Sequence, residues 1–379
     1  MGRYETSPGR MGDRLAGSLM ARFADAGYAR VEPSVLQPAE VFIDLSGEDI
    51  RRRMFVTTDA DGRERALRPE YTIPVAREWL AAGAADRAAF SYCGPVFRLR
   101  PGEVGEFVQA GIESFGRADV EAADAEVLAM ALEAVEGAGL ARPDVRVGDV
   151  GLFSALVAAL DLPPARVRKI KRAYAQGALD AAALDGLSNG HGLAGEHAGL
   201  LKAMQGQDPR AARAFVEDIL KIAGIASVGG RSAGEIAERF LAQAAADADG
   251  GIPAETRAVL ERFLAVRGDP DAASAELRAL AAESRIDLAA VLDAFDARTG
   301  FIAARGVDVT TLSFSAAFGR NLDYYTGAVF EIRDARRPEA PPLVGGGRYD
   351  RLLQTLGAER AVPAVGCSIW LERLAEAVR

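Results

Sequence analysis

The sequence predicts an α+β fold: an antiparallel sheet flanked by helices and interrupted by a mostly helical insertion. Strand patterns concentrate before residue 151 and after residue 305. Short turns join neighbouring strands there, which favours hairpins over regular strand–helix–strand units. Between these parts the chain is rich in Ala, Leu and Arg and has helical periodicity throughout. We therefore expect a core built from residues 1–151 and 305–379, with a helical region over 152–304.

Apolar residues with helical spacing open the first part of the core: Met11, Leu15, Leu19 and Phe23. Gly27 is placed to end this helix, and an extended segment over 28–36 follows it. The runs 55–58 and 66–69 flank Asp61 and Gly62, which is a hairpin signal. The next elements are predicted in this order: a helix over 73–82, strands over 89–99 and 107–115 joined by the turn 100–105, an amphipathic helix over 121–139 and a strand over 145–150.

The second part of the core returns to strands after residue 307. The elements predicted there are strands over 311–317 and 325–333, a Gly-rich turn over 344–348, a helix over 349–356, a strand over 364–369 and a helix over 370–378. Within the helical region, a strand signal occurs near 226–228. Hairpins with helices set around them are typical of one sheet covered by helices.

Composition excludes several classes of function. Hydrophobic residues make up 49% and charged residues 26% of the 379 residues, the balance of a soluble globular protein. The net charge of -9 argues against nucleic-acid binding by phosphate neutralisation. No signal segment and no run of about 18 apolar residues is present, so we expect a cytoplasmic protein without a membrane span. Cys93 and Cys367 are too few for a disulfide framework, and we expect neither a metal site nor a cofactor.

The segment 67–72 is the first of four with polar groups where a buried sheet prefers apolar ones. Glu70 and Thr72 lie two residues apart, on the same side of an extended chain, so both can accept hydrogen bonds from an ammonium group. Alternatively, one of them caps the helix that follows.

The second segment is the strand after Phe97 and Arg98. Gln109, Gly111 and Glu113 share one face of it, and a gap at Gly111 suits a ligand lying against the sheet. The alternative is an exposed sheet face.

The third segment is 319–327. Arg320 is suited to bind a carboxylate through its planar guanidinium. Tyr324 and Tyr325 can close a pocket, although for each tyrosine taken alone a core or edge position is the favoured interpretation. The fourth segment, Gly345 to Asp350, contains a glycine run that is weak evidence for phosphate binding.

Together and in this order, these segments resemble the core of class II aminoacyl-tRNA synthetases of the histidyl type. The resemblance covers about residues 10–150 and 305–379. The similar motifs are Gly27–Pro33 for the dimer-forming first motif, Phe97–Glu113 for the second, Pro363–Leu374 for the third, and Leu67–Thr72 and Arg320–Glu331 for the two histidine-specific signatures.

The resemblance implies a histidine pocket. In it Glu70, Thr72 and Gln109 hold the α-ammonium, Arg320 meets the carboxylate, Glu113 and Tyr325 flank the imidazole, and Tyr324 and Tyr349 line the walls, with Arg98 of the second motif beside them. Each polar group of histidine then has a partner, which excludes ligands that leave these groups unpaired.

The departures from the synthetase pattern fall on the ATP and tRNA side. Arg100 stands where the synthetases have a glutamate for adenine, and the following loop is short and acidic. Trp370 replaces a glycine over which the adenine stacks, unless its indole turns outward. Asn321 replaces a glycine beside Arg320. The chain ends six residues after Arg373, where histidyl synthetases continue into an anticodon-binding domain.

These departures are similar to those of the ATP phosphoribosyltransferase regulatory subunits, a family related to the synthetases. The resemblance implies a subunit without its own catalysis that binds a short-form catalytic subunit in a hetero-octamer, forms a self-dimer through the first-motif region and takes part in histidine feedback inhibition. It implies no tRNA and no membrane partner. The alternatives are a truncated histidyl-tRNA synthetase and another synthetase-like amino-acid sensor or ligase. The sequence leaves open whether the pocket is the feedback site.

Overall fold

The structure is a computed structural model that describes residues 9–43, 53–83, 87–100, 102, 104–188, 214, 218, 227–228, 231–232, 252–319 and 324–379. The helices are α1 (Gly9–Asp25), α2 (Thr72–Ala81), α3 (Val120–Gly137), α4 (Val150–Ala159), α5 (Pro164–Ala175), α6 (Ala181–Ser188), α7 (Ala254–Ala265), α8 (Pro270–Ser284), α9 (Ala289–Ala304), α10 (Leu352–Thr355) and α11 (Leu371–Ala377). The strands are β1 (Ala29–Arg30), β2 (Leu36–Pro38), β3 (Val56–Thr58), β4 (Glu64–Leu67), β5 (Ala88–Phe97), β6 (Glu106–Phe115), β7 (Pro143–Asp149), β8 (Ser227–Val228), β9 (Arg231–Ser232), β10 (Arg267–Gly268), β11 (Ser313–Ser315), β12 (Ala328–Asp334), β13 (Val344–Arg348) and β14 (Ala364–Trp370).

In the described part of the chain, nine strands form one sheet in the order β1-β5-β6-β14-β13-β12-β7-β11-β10. From β5 to β7 every neighbouring pair is antiparallel, as the sequence predicts. The antiparallel prediction is wrong at two pairs in the outer parts of the sheet, because β1 runs parallel to β5 and β11 runs parallel to β7. Both strands are reached by long connections, and such crossovers allow parallel pairing where a tight turn does not. A small second sheet, β2-β4-β3, contains the predicted hairpin.

The Gly-rich segment 344–348 is the central strand β13, so the prediction of a turn there is wrong. Its glycines let neighbours pack directly on the backbone: a Cβ on Gly346 would lie 2.6 Å from the Gly366 carbonyl oxygen and 2.6 Å from the Phe330 ring. Glycine weakens a strand pattern because it leaves no side chain for alternation to show. The strand is therefore specified by tertiary contact and not by its own residues.

The two faces of the sheet bury different sets of side chains. One face packs under α1, α3 and α11 around residues such as Phe23, Ile112 and Ile369. Because side chains alternate across a strand, the neighbours of Ile112 point to the other face, where a second cluster includes Tyr92, Tyr349 and Trp370. This second face holds the candidate site.

The helical region is described here through α4–α9. It has its own apolar cluster, in which Phe153, Phe263 and Phe295 pack with Phe314 of β11. Its last helix, α9, packs against α3 of the core. The strand signal near 226–228 corresponds to β8, and the sequence missed β10, which extends the main sheet. The boundaries 151/152 and 304/305 stay a prediction.

A buried group of charges links the helical region to the core. Arg348 donates to Asp124 (Nε to Oδ1, 2.8 Å) and to Asp350 (Nη1 to Oδ1, 2.7 Å). From α9, Arg298 donates to Asp149 at the end of β7, and its Nη1 lies 3.6 Å from Asp124 Oδ2. Breaking such a pair leaves an uncompensated buried charge, so these contacts hold α9 in place.

The expectations drawn from composition concern membrane-spanning helices, metal sites and cysteines. Searched over the described residues, no helix is long and apolar enough to cross a membrane, and no group of three potential metal ligands occurs. Cys93 and Cys367 are both free, and Cys367 is buried.

Candidate functional site

Three neighbouring strands set out the floor of the site. In the register of β5, β6 and β14, Tyr92 faces Gly111 and Gly111 faces Ser368, while Glu113 faces Gly366. Residues paired across strands point to the same side of the sheet. The predicted grouping of Gln109, Gly111 and Glu113 on one face therefore holds, and β5 and β14 add to it.

The Glu113 carboxylate is the centre of the site. Its side chain is 1% exposed and accepts hydrogen bonds from Thr72 (Oγ1 to Oε1, 2.7 Å), from Tyr92 (OH to Oε1, 3.4 Å) and from the hydroxyl of Tyr349. Opposite it, a Cβ on Gly366 would lie 1.8 Å from Glu113 Oε2, so glycine is required there. The alternative of an exposed sheet face is wrong.

Burial raises the pKa of the Glu113 carboxyl to about 8, although the hydroxyl donors Tyr349 and Thr72 favour its charged form. The nearby Glu70 raises this pKa further, because two carboxylates in one site repel each other. A carboxyl with this pKa gains stabilisation from any cation or ring N–H that reaches it. The site is thus prepared for a ligand that brings such a group.

Glu70 takes the capping role that the sequence left open as the alternative, and its contact with a ligand ammonium stays a prediction. Its carboxylate accepts the backbone N–H groups of Thr72 (2.6 Å) and Ile73 (2.9 Å) at the start of α2, so it caps that helix. It is also buried beside the site, where burial raises its pKa and the charge of Arg98 lowers it. Arg98 is held by a bond from its Nε to the Pro69 carbonyl at 2.6 Å, and burial lowers its pKa to about 10.

Gln109 carries an unsatisfied buried acceptor. Its side chain is 1% exposed, and within the described part of the chain its Oε1 receives no hydrogen bond. A buried acceptor without a donor costs about 1–3 kcal/mol. An incoming N–H donor would recover this energy, and the ligand contact that the resemblance implies for Gln109 stays a prediction.

Three tyrosines form one wall. The ring centroids of Tyr324 and Tyr325 are 4.9 Å apart, and Tyr349 lies 5.7 Å from Tyr324 and 6.5 Å from Tyr325. Tyr324 and Tyr349 are also part of the buried cluster on this face. These tyrosines are therefore core residues of this face, and their role in lining a ligand pocket stays a prediction.

Tyr92 is the site residue that the sequence analysis missed. It stacks on Tyr71 at 4.2 Å with an interplanar angle of 7°, and its hydroxyl lies 2.8 Å from Ser368 Oγ. A Cβ on Gly111 would lie 2.4 Å from this hydroxyl, so the gap predicted over Gly111 is filled by Tyr92. The register of β5 against β6 places it there, and the sequence gives no direct signal for that register.

Of the residues predicted for the histidine pocket, eight are brought to this face or its rim: Glu70, Thr72, Arg98, Gln109, Glu113, Tyr324, Tyr325 and Tyr349. The ninth, Arg320, and its neighbour Asn321 lie outside the described residues. The segment that precedes them is anchored to α5, since the Tyr174 hydroxyl donates to the Ala316 carbonyl at 2.9 Å.

The adjoining positions that depart from the synthetase pattern are filled by this chain's own side chains. Trp370 is 7% exposed, and the guanidinium carbon of Arg373 lies 4.9 Å from its ring centroid, so the outward alternative for this indole is wrong. The guanidinium of Arg100 lies over the ring of Phe107 at 4.2 Å. Trp370 faces Gln109 across the strands, which places the indole beside the polar site.

Comparison with known proteins gives the family. The profile described as Histidyl-tRNA synthetase matches residues 10–227 and 211–374. ATP phosphoribosyltransferase regulatory subunits of Brucella canis and Brucella suis are each 42% identical over 348 residues, covering 91% of this chain and 92% of each relative.

Solved structures give the fold. An ATP phosphoribosyltransferase regulatory subunit/histidyl-tRNA synthetase from Bacillus halodurans superposes with a TM-score of 0.69 at 23% identity, over 100% of this chain and 82% of that one. A histidyl-tRNA synthetase from Nostoc superposes with a TM-score of 0.64 at 18% identity, over 99% and 75%. These confirm the predicted synthetase-like fold, and the sequence identity to the Brucella proteins goes further: the chain belongs to the family of ATP phosphoribosyltransferase regulatory subunits.

Proposed function

We propose that this chain is a non-catalytic subunit required for the activity of a short-form ATP phosphoribosyltransferase, and that histidine binds at Glu113 to inhibit the first step of histidine biosynthesis. The regulatory role follows from the family. The observation that supports the ligand is the buried Glu113 carboxyl with its hydroxyl donors, next to the unsatisfied Gln109 oxygen.

The chemistry of histidine matches the groups of the site. Its imidazole offers an N–H donor, or a cation, to the carboxylate of Glu113, and both are favoured next to a buried acceptor. Its α-ammonium offers three donors, which suit the oxygens of Gln109 and Glu70. Its carboxylate is assigned to Arg320 by the resemblance. Alanine or valine would leave Glu113 without a ring partner, so the site disfavours them.

Loss of catalysis is supported on the adenine side. Trp370 and Arg373 pack on each other, and Arg100 covers Phe107, where the synthetases receive a nucleotide. Displacing a buried indole of this kind is costly, because its contact surface is about 150–250 Å². The amino-acid side keeps its polar groups. This division favours a sensor over an enzyme.

Regulation requires that histidine stabilise one state of the assembly more than another. Binding at Glu113 competes with the hydrogen bonds that Thr72 and Tyr349 make to it. Tyr349 directly follows Arg348, which is anchored to Asp124, so a shift of Tyr349 strains the contact to α3. We propose the hetero-octamer and a self-dimer through the region Gly27–Pro33 as the assembly in which this strain acts.

The regulatory role is tested by mixing the purified chain with a short-form catalytic subunit and measuring phosphoribosyl transfer to ATP. Activity that appears in the mixture, and is absent from either protein alone, supports the role. Activity of the catalytic subunit alone, with no complex in the mixture, contradicts it. Histidine-dependent exchange of pyrophosphate into ATP by the pure chain would instead indicate a truncated synthetase.

The ligand assignment is tested by calorimetric titration of histidine into the free chain. Glu113→Ala is expected to weaken binding by more than about tenfold, since it removes the carboxyl group that the imidazole would contact. Glu106→Ala, at the exposed start of the same strand, is the matched control and should bind like the wild type. Equal affinity in the Glu113 variant would refute the assignment.

A further inference from the structure

Helix α5 is unusually basic for this chain. Its 12 residues, PARVRKIKRAYA, contain five Arg or Lys and no Asp or Glu. The whole chain has 45 Lys and Arg against 54 Asp and Glu, with a net charge of -9. A positively charged helix in a protein of negative net charge creates a local positive field.

Three of these cations share one face of the helix. Arg168, Lys171 and Arg172 are spaced i, i+3 and i+4, so they are neighbours on the helix surface. Arg168 and Arg172 are exposed and Lys171 is half-buried. Arg351, an exposed residue just before α10 in the core, adds a fourth charge. Burial lowers the pKa of Lys171, and the nearby charge of Arg351 lowers it further. We call these four residues the cationic face.

Among the residues that the structure describes, none of the four side chains of the cationic face forms an ion pair or a side-chain hydrogen bond. By contrast, two half-buried arginines of the helical region are paired: Arg257 with Glu261 at 2.8 Å, and Arg278 with Asp296 at 2.6 Å. Like charges placed together without partners are destabilising. An anionic partner would remove this cost.

The helix holds this face rigidly. On its other side Ile170 and Tyr174 are buried in the apolar cluster of the helical region. Tyr174 stacks on Phe153 with ring centroids 3.8 Å apart and bonds through its hydroxyl to the segment that leads to Tyr324. The face is therefore fixed relative to the candidate site, and rigid presentation lowers the entropic cost of binding.

We propose that the cationic face docks onto an acidic surface of the ATP phosphoribosyltransferase catalytic subunit. The proposal rests on the proposed function for the identity of that partner. Guanidinium groups bind carboxylates through two parallel hydrogen bonds, and complementary charge sets the rate and orientation of association. The side chains lie on the outside of a helix, whereas small ligands occupy concave sites. The net charge of -9 disfavours nucleic acid.

The test compares the affinity of the full chain for the catalytic subunit with that of a double charge reversal, Arg168→Glu with Arg172→Glu. We expect the Kd to rise more than about tenfold and its dependence on salt to weaken, because exposed charge pairs are screened by salt. Arg142→Glu with Arg379→Glu, two other exposed arginines, is the matched control and should leave the Kd unchanged. Histidine titration of each free variant verifies the fold.

The neutral pair Arg168→Gln with Arg172→Gln removes charge without introducing repulsion, and it should weaken the complex less than the reversal. If the wild type forms the complex and both double variants bind equally well, the docking proposal is refuted while the regulatory role stands. If the wild type forms no complex, the docking proposal and the regulatory role are both refuted. If the variants keep the complex but lose affinity for total tRNA, the face binds RNA and the proposal is wrong.

Discussion

The buried carboxyl of Glu113 makes the stability of the free chain depend on pH. Its pKa is about 8 in the folded chain against 4.5 for an ordinary glutamate, and burial is the main cause. In the range between these values the unfolded chain releases this proton while the folded chain keeps it. The free energy of unfolding therefore falls as pH rises, and this contribution is fully present only below the lower pKa.

The size of this effect follows from the two pKa values. Between about pH 5 and about pH 8, a carboxyl with these values lowers the free energy of unfolding by about 3–4 kcal/mol, since each pKa unit is worth about 1.4 kcal/mol. Glu113→Gln removes the titration but keeps the shape. The difference in unfolding free energy, variant minus wild type, should therefore rise by about 3–4 kcal/mol over this pH range.

Urea denaturation of both proteins at the two pH values measures this difference, and other titrating groups cancel between variant and wild type. Glu106→Gln is the control, since water solvates an exposed glutamate in both states. A difference that stays constant with pH, or falls as pH rises, would refute the argument that burial controls Glu113. Histidine at saturation should reduce the rise, because its ring stabilises the charged carboxylate.

Three further substitutions test contacts of the fold and the site. Gly366→Ala places a Cβ 1.8 Å from the carboxylate opposite and should abolish histidine binding in calorimetry, whereas Gly300→Ala, with no atom within 4 Å, should not change it. Trp370→Ala should cost about 3–5 kcal/mol in urea denaturation, because a buried indole is lost; a cost below about 1 kcal/mol would show that the indole is not packed. Arg298→Met leaves the buried Asp149 without its cation, while Asp124 keeps Arg348, and should cost about 3–5 kcal/mol; Arg278→Met at an exposed pair should cost at most about 1 kcal/mol.

Much of the fold could be predicted from the sequence because it depends on local patterns of apolar residues and turns. The helix of α3 and the strands β5 and β6 were predicted within a few residues, since their apolar periodicity and turns are encoded locally. The strand β13 was predicted as a turn, because its glycines are selected by the neighbours that pack on them. The two parallel pairs were also missed, since they depend on where long connections return.

The positions of the candidate site residues were predicted where ordered motifs carry the resemblance. A residue was missed where only the register between strands decides its position. Gln109 and Glu113 were placed on one face by the period of two along β6, and the structure agrees. Tyr92 was missed, because its position over Gly111 follows from pairing β5 with β6 and not from any residue near it in sequence. The domain boundaries and the role of Arg320 stay predictions.

By itself, the sequence determined the elements, the family resemblance and the chemical types available to the pocket, because these are properties of neighbouring residues and their order. Tertiary structure alone decided that Glu113 is buried among hydroxyl donors with a raised pKa, that Trp370 turns inward, and that Arg168 and Arg172 of α5 have no ion-pair partner among the described residues. The physical reason is the same in each case. Burial, pairing and charge compensation depend on residues distant in the chain, and only folding brings them within hydrogen-bonding or Coulombic range.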